Sequence, residues 1–247
     1  MRKQKNRFYH FYLGRELKHW TRALFGFGII VATTVALLAV GWFTGVDLER
    51  LLEGLVVSFG RVMLAYAISL VLGILIAFFV TRSEAAENFF LPIFETAQSL
   101  PTVAILPLVI LWLGSQSAII FLLVITMIWP ITFSVVNGFK SIPHSLSETA
   151  RIYGAKGWKK LRYFTLPMIL PSMITGSIIG WGEGWEVLVA AELLGAQSGI
   201  GAYIGEAAHQ EKTIIMVMAI TFLMFIIFLL NKWVWVPLLK QTTKHQL

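Results

Sequence analysis

Six stretches of this chain, residues 23–46, 62–81, 96–114, 118–136, 163–182 and 213–231, contain no Asp, Glu, Lys or Arg. An α-helix rises about 1.5 Å per residue, so roughly 20 such residues reach across the hydrocarbon of a bilayer. A soluble chain has charged residues as about a quarter of its composition; here they make up 13%, against 57% hydrophobic residues. A water-soluble globule built from these residues has too little polar surface to cover itself. None of the apolar runs alternates with period two, which excludes a β-barrel. The expected fold is therefore all-α, an integral membrane protein of six transmembrane helices.

The first apolar run raises the question of a cleaved leader. It is too long for the hydrophobic part of a signal peptide, and its exit, Gly41-Trp42-Phe43, is bulky. It reads as a retained helix. Residues 1–22 precede it as an interfacial, cytoplasmic segment in which Phe8-Tyr9-His10-Phe11-Tyr12 mixes with basic side chains, a composition suited to the headgroup layer. The transmembrane domain then runs over 23–239 and a short tail over 240–247. With the N-terminus in the cytoplasm, only Arg50, Arg61 and Lys212 of the 20 Lys and Arg residues lie outside. Positive charge collects on the cytoplasmic side of membrane proteins, so both termini are expected there. The net charge of +7 thus reports orientation in a cell membrane and not binding to nucleic acid. Cysteine is absent, which removes disulfides and thiolate chemistry. The five histidines are scattered without a metal-ligand spacing. No span holds a serine–histidine pair, so an intramembrane hydrolase lacks support.

One inner connection is long, basic and helical in pattern: 140–162. Ser147 is placed to cap a short helix there, with Glu148 near its positive end, and Gly154 and Gly157 punctuate its far side. The bare residues allow an interfacial connector. Glu148-Thr149-Ala150, then Gly154, then Leu166-Pro167 further on, resembles the EAA loop of ABC-importer permeases, with Thr149 and Phe164 as departures from it. Ser99-Leu100-Pro101-Thr102-Val103-Ala104-Ile105-Leu106-Pro107-Leu108 with Leu111-Trp112-Leu113-Gly114 is similar to the third span of the nitrate/sulfonate/taurine-type permeases. Ser58-Phe59-Gly60-Arg61-Val62 resembles their entry to the second span. Trp185-Glu186-Val187-Leu188-Val189-Ala190-Ala191-Glu192-Leu193-Leu194 with Gly199-Ile200-Gly201 resembles their fifth span and the outer loop after it.

The resemblance implies a non-enzymatic permease subunit of an ATP-driven importer. It implies a second copy of the chain, ATP-binding cassette ATPase subunits and an extracytoplasmic substrate-binding protein as partners. ATP and Mg would be bound by the ATPase, and the chain itself has no glycine-rich phosphate loop and binds no cofactor. Ser147, Glu148, Thr149, Ala150, Arg151, Gly154 and Ala155 would form the ATPase-coupling segment. Glu192, Gly199 and Gly201 would form an outer gate or binding-protein contact. The solute class would be nitrate, sulfonate, taurine or a pyrimidine precursor.

Several residues carry two readings. Pro101, Pro107 and Pro130 interrupt spans, either as plain kinks or in the lining of the solute path, where Pro101 is placed. Ser172, Gly176, Gly180 and Gly184 form a small-residue stripe of the kind that lets helices approach closely, within the chain or at a dimer axis. Arg61 reads as an anchor snorkelling to outer headgroups. Glu183 and Glu186, three apart on one helix face, are costly inside a span and point to a polar contact or, with Trp185, to the wall of the path. On the path, their charge disfavours an anionic solute. A rival function, a secondary transporter using the two glutamates for proton coupling, leaves the EAA-like loop without a purpose.

Overall fold

The computed structural model describes residues 47–243, together with Gly28, Val31, Ala32, Val35 and Ala39, which are helical. The interfacial segment 1–22, most of the span expected at 23–46 and the end of the tail lie outside the described residues. The elements in order are α1 (Leu48–Val80), α2 (Glu84–Gln98), α3 (Leu106–Leu113), α4 (Ser115–Lys140), α5 (His144–Ile152), α6 (Gly157–Gly195), α7 (Ile200–His209) and α8 (Thr213–Thr242). Strands are absent among the described residues. Four of these helices, α1, α4, α6 and α8, are long and apolar enough to cross a membrane.

Helix α1 begins well before the apolar run expected at 62–81, because Glu49, Arg50 and Glu53 are good helix residues that extend it outward. Asp47 caps it by accepting a bond from the Arg50 N–H at 3.1 Å. The third expected span, 96–114, is corrected: it is not one helix. The chain leaves α2 at Gln98, turns through residues 99–105 and restarts as the eight-residue α3. Pro101 has no N–H and disfavours helical backbone at Leu100, and the turn closes with Ala104 N–H bonding to the Pro101 carbonyl at 2.9 Å. Pro107, in contrast, interrupts nothing. It sits in the first turn of α3, where a missing N–H is harmless. The uncharged length of 96–114 is right for a span, but the backbone chemistry inside it is not.

Helix α4 is the centre of the bundle, with α1 on one side and α6 on the other. The small-residue stripe of α6 faces it within the same chain. A Cβ at Gly176 would meet the Pro130 carbonyl at 2.8 Å and the Ile131 Cα at 2.9 Å, and one at Gly180 would meet the Met127 carbonyl at 3.1 Å. The stripe is therefore a backbone-to-backbone contact, as small-residue faces permit. Pro130, buried in α4, lies against both glycines. Within the bundle, Phe59, Tyr66, Trp181, Trp185 and Trp235 form an aromatic cluster with ring centroids 5.7–6.5 Å apart. Helices α6 and α8 each carry one π-helical turn, Leu161–Thr165 and Asn231–Trp235. Each turn ends two residues before a proline, Pro167 and Pro237. A wider turn accommodates the carbonyl that the proline cannot satisfy.

Candidate functional site

Two places bring functional side chains together, one at each end of the bundle. At the basic end, α5 stands out from the spans. None of its nine residues is buried, and Ile152 and the following Tyr153 are 82% and 87% exposed. An isolated helix this short is marginal in water, so its order depends on its ends and on what it rests against. Its cap is not Ser147, as the sequence suggested, but lies four residues earlier: Pro143 is the cap position and fixes the extended entry. Ser147 instead accepts a hydrogen bond from the Lys160 ammonium at 2.8 Å, which ties α5 to the root of α6. Glu148 lies in mid-helix, 3.6 Å from His144 one turn before, and Thr149 bonds back to the Ser145 carbonyl.

The end of α5 explains Gly154. The Ala155 N–H bonds to the Ala150 carbonyl at 2.9 Å and the Gly154 N–H to the Arg151 carbonyl at 3.1 Å, the paired pattern of a Schellman cap. Gly154 has φ +81°, the left-handed region that a side chain disfavours by about 1–2 kcal/mol. A Cβ there would meet nothing within 4 Å. The requirement is conformational and not one of close approach. Ser147, Glu148, Thr149, Ala150, Arg151, Gly154 and Ala155 thus all lie on this one helix and its cap.

At the other end, Arg61 and Glu192 form a buried ion pair, Nη1 to Oε1 at 2.5 Å, with 6% and 0% of the side chains exposed. Arg61 is not a snorkelling anchor. It reaches inward from α1, also donating to the Ser198 carbonyl at 2.8 Å, the Ser198 hydroxyl at 2.8 Å and Gln116 Oε1 at 2.7 Å. Glu192, expected at the outer edge, is enclosed: it accepts from the Ser58 hydroxyl at 2.7 Å and the Gly201 N–H at 3.0 Å. Ser58 in turn accepts from the Ile200 N–H at 2.9 Å. The carboxylate therefore sits at the N-terminus of α7, where the helix dipole favours negative charge. Gly199 has φ +114°, and a Cβ on it would collide with the Glu192 carboxylate; one on Gly201 would lie 2.5 Å from the Val189 carbonyl. The two glycines let the loop between α6 and α7 close over the acid. Glu192 therefore lies beneath the loop that carries Gly199 and Gly201 and not on its surface. Sequence reading missed Ser58, Gln116 and Ser198. The available signal was a pair of opposite charges, Arg61 and Glu192, each embedded at the end of an apolar run.

Glu183 is half-buried and Glu186 exposed, and neither has a hydrogen-bond or ion-pair partner among the described residues. Glu186 belongs to a face of α6 that the chain's own helices leave uncovered, with Ile179, Gly182 and Leu193. Trp185, expected beside the glutamates, is instead 2% exposed and packs on Phe59 and Trp181. One residue before Glu186 and two after Glu183, it falls about 100° and 200° round the helix from them. Pro101 is exposed at the break between α2 and α3.

A family model described as "Binding-protein-dependent transport system inner membrane component" matches residues 69–234, more than half of the chain. The chain belongs to that family. It is a multi-pass membrane protein of that family. It is 32% identical over 180 residues to the taurine transport system permease protein TauC of Escherichia coli (strain K12), covering 72% of this chain and 66% of that one. It is 33% identical over 194 residues to the nitrate import permease protein NrtB of Leptolyngbya laminosa, covering 77% and 64%. A putative aliphatic sulfonates transport permease protein, SsuC of Bacillus subtilis (strain 168), is 29% identical over 192 residues, covering 76% and 70%. The chain thus spans just under two thirds of the taurine and nitrate proteins. Among solved structures, the fold is similar to a chain of the MetNI methionine ABC transporter in an inward-facing conformation. The TM-score is 0.63 at 19% identity, covering 81% of this chain and 97% of that one. That likeness confirms the type of helical permease fold expected.

Proposed function

We propose that this protein is the membrane-spanning subunit of an ATP-driven importer, moved by a separate ATPase subunit that grips α5. The observation that carries this is α5 itself: a short helix with no buried residue, capped at its end by Gly154 and bonded to α6 through Ser147 and Lys160. A helix presented in this way needs a partner, and any displacement of it acts directly on the base of α6. ATP and Mg bind to the ATPase. A second copy of the chain covers the open face of α6, and an external binding protein delivers the solute to the outer end. Transport proceeds by rocking of the spans between inward and outward openings.

Uptake into vesicles is expected to require ATP and to survive a protonophore; uptake that collapses with the proton gradient would favour the secondary-transport reading. Gly154→Asn, which tolerates the left-handed conformation, should keep most solute-stimulated ATP hydrolysis in the assembled complex, whereas Gly154→Val should lose it, with insertion unaffected. Equal activity of the two variants would reduce α5 to a connector. Both termini and α5 are assigned to the cytoplasm. Single cysteines at Ala155 and Gln197 of this cysteine-free chain should label from opposite sides with an impermeant maleimide, and labelling of Ala155→Cys from outside intact cells would reverse the orientation.

The solute is proposed to be small and of the sulfonate, taurine, nitrate or pyrimidine-precursor class. Glu183 and Glu186, unpaired on or beside the open face of α6, select within it. A zwitterion such as an aminosulfonate offers an ammonium that carboxylates attract, whereas a simple anion is repelled in a low-dielectric path. Glu183→Gln and Glu186→Gln keep size and hydrogen bonding while removing charge. Uptake reduced about 10-fold or more in either, equivalent to about 1.4 kcal/mol, supports the zwitterion. Unchanged uptake in both makes the pair structural and the anion the better solute.

A further inference from the structure

At the basic end of the bundle an open cleft of about 650 Å³ lies among the ends of α1 and α4, His144 and Ser147 of α5, and the start of α6. Its floor is apolar, formed by Phe139, Ile142, Leu161 and Phe164, and its rim carries Arg82 and Lys160. No carboxylate lines it among the described residues. Arg82 makes a cation–π contact with Phe78 at 4.9 Å, and the salt bridges of this end, Lys140 with Glu87 and His144 with Glu148, do not include either rim cation. Trp158, also on the cleft wall, is 71% exposed, the placement of an aromatic at headgroup level.

We propose that this cleft seats one anionic phospholipid, with its headgroup phosphate at Arg82 and Lys160 and the start of an acyl chain on the apolar floor. Each part of the ligand answers a feature of the cleft. A cationic rim without an acid calls for an anion, and basic pockets between spans at the membrane surface suit acidic headgroups. An apolar floor continuous with three spans excludes a small, fully hydrated anion as the natural occupant. The chain's own N-terminal segment has the wrong charge, with seven Lys and Arg in residues 1–22. The size lies within the roughly 300–1,000 Å³ of small-molecule sites. The same Lys160 ammonium bonds to Ser147 of α5, so a phosphate there is coupled to the seat of that helix. The site touches α5 through His144 and Ser147, but its occupancy requires only that the chain lies in a membrane and does not depend on the importer reading.

Native mass spectrometry of the full-length chain in a neutral detergent, titrated with phosphatidylglycerol or phosphatidylcholine of equal chain length, tests this. One phosphatidylglycerol per chain is expected to remain bound at concentrations where phosphatidylcholine does not. Arg82→Gln and Lys160→Gln should each weaken it about 5-fold, the effect of roughly one basic residue near an acidic surface. Lys160→Arg should retain it, and Lys159→Gln, beside Lys160 but outside the cleft, should leave it unchanged. Equal retention of the two lipids overturns the proposal. So does an equal loss in Lys159→Gln, which indicates a diffuse basic field. Displacement of the lipid by an equal concentration of glycerol 3-phosphate also overturns it, because the cleft is then a site for free anions.

Discussion

Replacing Arg61 with Met is expected to destabilise the protein by about 3–5 kcal/mol, the usual cost of breaking a buried ion pair from one side. The loss arises mainly from what remains. Glu192 would stay fully enclosed with its charge, held only by the Ser58 hydroxyl and the Gly201 N–H. The Ser198 carbonyl and hydroxyl and Gln116 would lose their donor as well. A second substitution, Glu192→Gln, removes the stranded charge and keeps an oxygen for Ser58 and Gly201. The double variant Arg61→Met/Glu192→Gln should therefore be more stable than Arg61→Met alone, an interaction that a double-mutant cycle isolates. Heating the full chain in detergent and following the fraction that stays monodisperse measures all four proteins. A wild-type midpoint for Arg61→Met, or a double variant worse than the single, would show that the pair does not hold the outer loop onto α1 and α6.

That pair also marks where the sequence stops being readable. Uncharged length identified α4, α6 and α8, because the bilayer rewards composition over a fixed span whatever the partner. The same criterion overreached at 96–114, where Leu100-Pro101 governs the backbone locally and no hydropathy average registers it. Glu148, Ala150 and Gly154 were legible by spacing because they lie within one turn-and-cap unit. Their local physics was less so: the start of α5 depends on Pro143, and Ser147 is taken up by Lys160, 13 residues away. Arg61 and Glu192 are separated by 131 residues, and each alone has an ordinary explanation at a membrane surface. Only the packing of α1 against α6 and α7 reveals that they neutralise each other. Trp185 neighbours Glu186 in sequence, but the 100° step of the helix turns it to the opposite environment.

Gly176 and Gly182, six residues apart on α6, should respond oppositely to the same change. Gly176→Leu forces a side chain into the backbone of α4, where even a Cβ would stand 2.8 Å from the Pro130 carbonyl. Neither helix can yield cheaply, since α4 is held on its other side by α1, where a Cβ on Gly73 would already lie 2.9 Å from Ile131. Overpacking of this kind typically costs about 1–3 kcal/mol, and contact with backbone instead of a mobile side chain places the effect at the upper end. Gly182 has nothing within 4 Å of a Cβ and lies on the open face of α6. Gly182→Leu should leave the single chain as stable as before, or more so by up to about 1 kcal/mol, because glycine is a poor helix former. If a second copy covers that face, the same leucine should split the dimer and stop uptake. Light scattering in detergent separates the two cases: Gly176→Leu gives aggregated or poorly inserted protein, and Gly182→Leu gives a folded monomer. A Gly182→Leu protein that stays dimeric and transports normally would place this face of α6 against lipid, and the solute path would have to be sought elsewhere in the bundle.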